Sequence, residues 1–343
     1  MSLAELARLT GLSQATVSRV LNSKPGVSPE KVQQVRKAMQ QLGYTPPARR
    51  RGPKPKLRSG LNTGNVAMLM VGTDPTLIYA PATAAVLHAV EESLASHGLN
   101  LTFSQIPRDG RIPPNVEGGK VDGLLLHGFP PVAKVAERMR HLPSVWMLSQ
   151  RTSRGYWGDR VQPDNQAVGH MAARYLLEAG HRHMAVLNAN PSHLGFKTRA
   201  VAFSEEVVQA GGTSYVMDET THDDELPLDT TSAQDHIARL IEHALQRDPR
   251  PTALFIPHYR ITALAYPILR ARGIEPGRDI AIVSCDSQLL LEALDPMPPS
   301  IDVRPSEIGR QAVEQLLRRI ADPHAPVRTE ILVEPRLVKT PHG

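Results

Sequence analysis

From residue 64 onward the chain alternates two kinds of apolar pattern. Short unbroken runs, such as Val66-Ala67-Met68-Leu69-Met70-Val71, lack a polar residue at every second place, as expected of strands buried on both faces. They predict strands at 66–71, 101–106, 121–126, 145–148, 184–188, 253–256, 280–284 and 331–333. Between them, apolar residues recurring every three or four positions predict helices at 82–96, 132–140, 165–179, 199–210, 234–246, 261–272 and 306–320. Strand-helix alternation implies parallel sheets covered on both faces, and eight or more strands are better divided into two sheets than crowded into one. The expected fold class is therefore α/β, with an all-α head ahead of a body built on two parallel sheets.

Residues 1–45 show only helical patterning. A first helix is predicted from Leu3 to Thr10, stopped by Gly11. Ser13 then caps a second over 14–21, with Val17, Val20 and Leu21 facing inward and Gln14, Ala15, Ser18 and Arg19 outward. Ser28 and Pro29 open a third, whose apolar stripe is Val32, Val35, Met39 and Leu42, and Gly43 ends it. Two helices joined by a turn of about four residues, with small Ala7 at the crossing, make a helix-turn-helix. The second helix of such a unit lies in the DNA major groove and reads bases from its N-terminal end.

Charge supports this division. Residues 1–60 hold 12 Lys/Arg against 2 Asp/Glu, whereas the whole chain nets only +5, so the remainder carries −5. A basic head on a mildly acidic body suggests that only the head meets a polyanion. Residues 46–63 form a Pro- and Arg-rich linker with six basic residues between 49 and 58, including Arg49, Arg50 and Arg51. Pro53 and Pro55 exclude a regular helix beyond about residue 51. An extended arm laying arginines along a narrow minor groove and a solvated tether attracted to phosphates both fit.

Residues 5–44, and above all Ala15-Thr16-Val17-Ser18-Arg19-Val20-Leu21-Asn22, closely resemble the DNA-binding head of the lactose-repressor (LacI/GalR) family. The resemblance implies that Gln14, Ala15 and Arg19 occupy base-reading positions, and that Ser13, Thr16, Ser18 and Asn22 hold the DNA backbone. Family members usually wedge a leucine from a hinge helix into the minor groove; here the prolines and the misplaced Leu57 depart from that pattern. More weakly, the resemblance extends over the body through Val121-Asp122-Gly123-Leu124-Leu125, Asp164-Asn165, Gly180-His181-Arg182-His183 and Glu307-Ile308-Gly309. It implies a two-lobed, periplasmic-binding-protein-like body over 64–343, crossed three times by the chain. The first lobe is expected at about 64–160 and 289–320, the second at about 161–288 and 321–343.

Ligands of open parallel sheets bind beyond the C-terminal ends of strands. By resemblance, Arg199 stands at the effector-gripping position, although Ala202 replaces the glycine that normally follows it. Asp286 matches the ligand-accepting carboxylate, Asp74 and Tyr79 follow the first strand, and His258 replaces an asparagine, with Tyr259 in place of the neighbouring aspartate. Arg199 and Asp286 could equally form a structural salt bridge, Tyr79 could simply pack, and Trp146 could stack on a ligand or fill core. The set suits a polyhydroxylated or ring-shaped effector: a sugar, a sugar acid or a nucleobase.

No phosphate-binding Gly-rich loop, metal cluster or nucleophile elbow appears, so neither an enzyme nor a cofactor is expected. The single Cys285 excludes an intrachain disulfide. With no apolar run of membrane-spanning length and no apolar leader, the reading is a cytoplasmic homodimer that binds a palindromic double-stranded operator and a small, sugar-like effector. A solute-binding protein without a regulatory role is the alternative.

Overall fold

A computed structural model describes residues 3–21, 26–41, 60–149, 155–218, 230–286 and 288–339. The chain divides into two compact units, 1–56 and 57–343, a boundary that falls inside the linker expected at 46–63.

The head holds α1 (Leu3–Thr10), α2 (Gln14–Leu21) and α3 (Pro29–Gln41). Gly11 makes the turn with φ +63°, a left-handed conformation that costs a side-chain-bearing residue about 1 kcal/mol or more. Ser13 caps α2, its Oγ accepting the Thr16 N–H at 3.2 Å. Leu6, Ala7, Val17, Val35 and Ala38 form the core, and Val20, Leu21 and Met39 pack around it. Gln34 ties α3 to the end of α1 by donating to the Thr10 carbonyl at 3.0 Å. Leu42 and Gly43 lie outside the described residues.

The body begins with β1 (Asn65–Val71), a 3-10 turn at Pro75–Tyr79, α4 (Pro81–Ser96), β2 (Asn100–Ile106), α5 (Pro114–Glu117), β3 (Gly123–Gly128), α6 (Ala133–Glu137), β4 (Ser144–Met147) and β5 (Asp159–Pro163). It continues with α7 (Asn165–Glu178), β6 (His183–Leu187), α8 (Leu194–Gln209), β7 (Thr213–Met217), α9 (Thr230–Leu245), β8 (Ala253–Phe255), α10 (Tyr259–Arg270) and β9 (Ala281–Cys285). Last come α11 (Gln288–Leu291), β10 (Ser300–Asp302), α12 (Pro305–Ala321), β11 (Glu330–Val333) and β12 (Arg336–Val338).

Two six-stranded sheets result, ordered β11-β5-β4-β3-β1-β2 and β12-β10-β9-β8-β6-β7. All pairings are parallel except β10 with β12. Along β1, Val66 and Met68 enter the core beneath α4 and α12, while Ala67, Leu69 and Val71 enter the core on the opposite face. That two-sided burial is why the strand reads as an unbroken apolar run.

The chain crosses between the lobes after Pro163, between Asp302 and Pro305, and between Val333 and Arg336. This corrects the lobe limits expected at 289 and 321. Segment 300–302 belongs to the second lobe, because β10 pairs with β9, and 330–333 belongs to the first, because β11 pairs with β5. Strands of three or four residues carry too little alternation to announce their sheet, so pairing decides it.

β5, β7, β10 and β12 escaped the pattern reading. β5 did so because it carries charge into the core: Asp159 is fully buried. Its carboxylate accepts from Arg319 Nη2 (2.7 Å) and Nε (2.9 Å), Gln315 Nε2 (2.9 Å) and the Thr329 N–H (2.9 Å). Burial alone would raise its pKa, but these hydrogen bonds outweigh it and hold the carboxyl below its ordinary range.

Candidate functional site

On α2, Val17 is fully buried while Gln14, Ala15 and Arg19 are exposed, so the three residues expected to read bases share the outer face. Ser13 is exposed and Thr16 and Ser18 are half-buried. The Ser13 and Thr16 hydroxyls stand 2.9 Å apart, so both residues serve the helix cap as well as facing outward. Asn22, Arg49, Arg50 and Arg51 lie outside the described residues.

A cavity of about 440 Å³ lies between the lobes at the C-terminal ends of the strands of both sheets. Asp74, Tyr79, Arg199, His258 and Asp286 all line it. Trp146 does not. It is fully buried, with its ring edge-on to Tyr156 and Trp157 at 4.7 and 5.2 Å, and it fills core.

The second-lobe wall is built around Arg199, which is only 4% exposed. Its Nε donates to Asn165 Oδ1 at 2.7 Å, and its Nη1 donates to the Pro257 carbonyl at 2.7 Å and to Asp286 Oδ1 at 3.2 Å. Nη2 takes no part in these bonds. Burial opposes the guanidinium's charge, but the adjacent Asp286 carboxylate outweighs it and raises the pKa above its ordinary value. The salt-bridge reading and the cavity-lining reading are thus both realised in one pair. Asp286 itself adopts φ +79° directly after β9, and Leu148, which follows β4 and also lines the cavity, adopts φ +51°. Such backbone strain, about 1–3 kcal/mol per residue, clusters at functional sites.

α7 and α8 cross closely at Gly169 and Ala202: a methyl added at Gly169 would lie 2.8 Å from Ala202 Cβ and collide with the Arg199 carbonyl oxygen.

His258 caps α10, its Nδ1 accepting the Arg260 N–H at 3.3 Å, which leaves Nε2 to carry the proton. Burial drives its pKa down to about 4; the pull of Asp286 is opposed by Arg199 and Arg260. His193 caps α8 in the same way and stacks on Phe196 at 4.2 Å. Phe196 lies 5.5 Å from the His258 ring and 5.2 Å from the Arg199 guanidinium carbon. Together they form an aromatic surface beside a fixed charge.

The first-lobe wall is more open. Asp74 Oδ1 caps the 3-10 turn, accepting from both the N–H and the hydroxyl of Thr76 at 2.7 Å. Tyr79, at the end of that turn, is 82% exposed. His127 donates from Nδ1 to the Met147 carbonyl at 2.9 Å. Gln162 is fully buried on β5, and among the described residues neither atom of its carboxamide has a hydrogen-bond partner, a state that costs about 1–3 kcal/mol per group.

His127, Gln162, Asn165, Asn190, His193 and Phe196 were not anticipated as lining residues. His127 and Gln162 end strands of the first sheet, and Asn190 to Phe196 follow β6 into α8, so the strand-end rule would have found them once β5 and the start of α8 were recognised.

Comparison with known proteins places both units. A family model described as bacterial regulatory proteins, lacI family, matches residues 2–47, and one described as periplasmic binding protein-like domain matches 173–339. The ribose operon repressor of Haemophilus influenzae is 27% identical, over 98% of this chain and 97% of its own. The transcriptional repressor PurR of Aliivibrio fischeri is 25% identical over 94% and 92%. A solved transcriptional regulator CelR–cellobiose complex shares the fold with a TM-score of 0.66 at 24% identity, covering all of both chains.

Proposed function

This chain belongs to the lacI family of bacterial regulatory proteins, DNA-binding transcriptional regulators under effector control, and we propose that it is a repressor whose hold on a palindromic operator is set by a sugar-like metabolite bound between the lobes of its body. The observation that carries the effector reading is the buried Arg199–Asp286 pair in the wall of an interlobe cavity. Around it, uncharged donors and an aromatic surface suit a hydroxylated ring. Gln14, Ala15 and Arg19 read base edges, Ala15 through apolar contact alone. Ser13, Thr16, Ser18 and Asn22 hold phosphates, and Arg49, Arg50 and Arg51 follow the minor groove. Two copies pair through the body, because one helix-turn-helix spans too few base pairs for a unique site. The protein works without catalysis, in the cytoplasm where its operator lies; among the described residues no helix is long and apolar enough to cross a membrane.

A ligand shifts DNA affinity only as far as it favours one lobe arrangement over the other. The test is a thermal-shift screen of sugars, sugar acids and nucleobases, followed by operator binding with and without the hit. A compound that raises the melting temperature and changes operator affinity is the expected result; a panel without effect on either would defeat the effector reading. For the head, Arg19→Ala should weaken operator binding by about 1–3 kcal/mol while leaving random DNA nearly unaffected. Equal losses on both would make Arg19 a phosphate contact.

A further inference from the structure

Three residues of β5 and the crossing that follows it are buried and polar: Asp159, Gln162 and Asn165. Two of them are fully used by the protein. Asp159 is held by Arg319, Gln315 and the Thr329 N–H. Asn165 accepts from Arg199 and donates to the Pro163 carbonyl at 3.2 Å. Gln162 alone differs, since among the described residues its Oε1 and Nε2 have no partner, although it is 0% exposed.

Its surroundings explain why. Its register partner on β11 is Leu332, and on the other side β4 ends at Met147, opposite Val161, one position before it. It borders the cavity, together with Asn165, His127 and Arg199. A primary carboxamide offers a donor and an acceptor side by side, and a buried one left unmet carries a free-energy cost; Trp146 Nε1, His183 Nδ1 and Ser300 Oγ are also unmet among the described residues, but of these residues Gln162 is the one that borders the cavity.

We propose that Gln162 is a ligand-recognition residue, the group by which the first lobe reads the effector. Its ligand presents a hydrogen-bond donor and acceptor next to each other, as do the vicinal hydroxyls of a sugar or the lactam edge of a nucleobase. The inference rests on the effector reading above, and it adds the residue and the ligand edge that this residue demands. Because the amide is unmet without ligand, removing it should separate stability from affinity: an apolar side chain of similar length relieves the ligand-free body yet deprives the bound ligand of two hydrogen bonds.

The experiment compares full-length wild type with Gln162→Met, and with the smaller Gln162→Leu should methionine crowd the site. Melting temperature is measured without ligand, and affinity by calorimetry for D-ribose, cellobiose and uracil. The expected result is a ligand-free melting temperature at or above that of wild type, with affinity reduced at least tenfold for the probe that wild type binds. Binding of a sugar identifies the diol edge, and binding of uracil the lactam edge. Unchanged affinity in both variants would overturn the proposal, whatever happens to the melting temperature, and would mean that solvent serves the amide or that it is merely core. If wild type binds none of the three, the compound selected by the panel of sugars, sugar acids and nucleobases takes their place; if no member of that panel binds, the effector reading itself falls and this proposal falls with it.

Discussion

The two walls of the interlobe cavity are built on opposite terms. On the second-lobe side nearly every polar group is already committed: Arg199 to Asn165, Pro257 and Asp286, His258 to the first turn of α10, and His193 to the first turn of α8. On the first-lobe side, Tyr79 stands in solvent at 82% exposure and the Gln162 carboxamide is unmet among the described residues, while Asp74 serves a short local turn. A wall fixed in advance holds its charges where a ligand needs them and spends little ordering entropy on binding. A wall with unmet groups gains most when the ligand arrives. Such asymmetry couples occupancy to the relation between lobes, because only a ligand that touches both walls satisfies both.

The largest test of this contrast is Asp286→Ala. It would leave the Arg199 guanidinium buried without its counter-charge, and denaturant unfolding should show a loss of about 3–5 kcal/mol. A loss below about 1 kcal/mol would mean that the second-lobe wall is not held by this pair.

Next in size is a pH effect from His258. Its folded pKa of about 4 lies below the ordinary 6.5. Above pH 6.5 both folded and unfolded states are neutral there. Below it the unfolded chain takes up a proton that the folded chain refuses, so stability falls as the pH drops from 6.5 towards 4, by about 3 kcal/mol in all. His258→Asn, which keeps a capping side chain, should flatten that part of the stability–pH profile; an unchanged slope would assign it to other groups.

Gly169→Ala should cost about 1–3 kcal/mol by forcing α7 away from α8, and it should weaken effector binding by displacing Arg199. Stability loss without an affinity change would show that Arg199 tolerates the shift. The smallest effect belongs to the open wall. Asp74→Ala removes one cap and should cost about 1 kcal/mol in thermal unfolding, less than any of the changes opposite. A cost rivalling that of Asp286→Ala would erase the contrast.

Much of this was legible in the residues. The head's first two helices fall where periodicity and capping place them, because an eight-residue helix with Ser13 at its start and Val17 facing inward is specified within a few positions. The longer strands of the body were equally plain, and of the five residues expected around an effector Asp74, Tyr79, His258 and Asp286 line one cavity because each follows a strand whose identity was clear, whereas Arg199 reaches it from inside α8. β5 was not legible, since Asp159 and Gln162 look like surface residues until Arg319, 160 positions away, and the interlobe cavity supply their reasons for burial.

What the sequence by itself determined was local and periodic: where helices start and stop, which of their faces are apolar, and which runs must lie between two layers. Tertiary structure alone decided that β10 joins the second sheet and β11 the first, since three or four residues acquire a sheet only from the edge they pair with. It likewise decided that Gly169 keeps the helix crossing open for Ala202, that Arg199 and Asp286 are partners as well as cavity wall, and that Gln162 is left unmet among the described residues. Each of these depends on groups far apart in the chain, and the free energy of burying a polar atom is set by what lies across from it in space, which no neighbouring residue encodes.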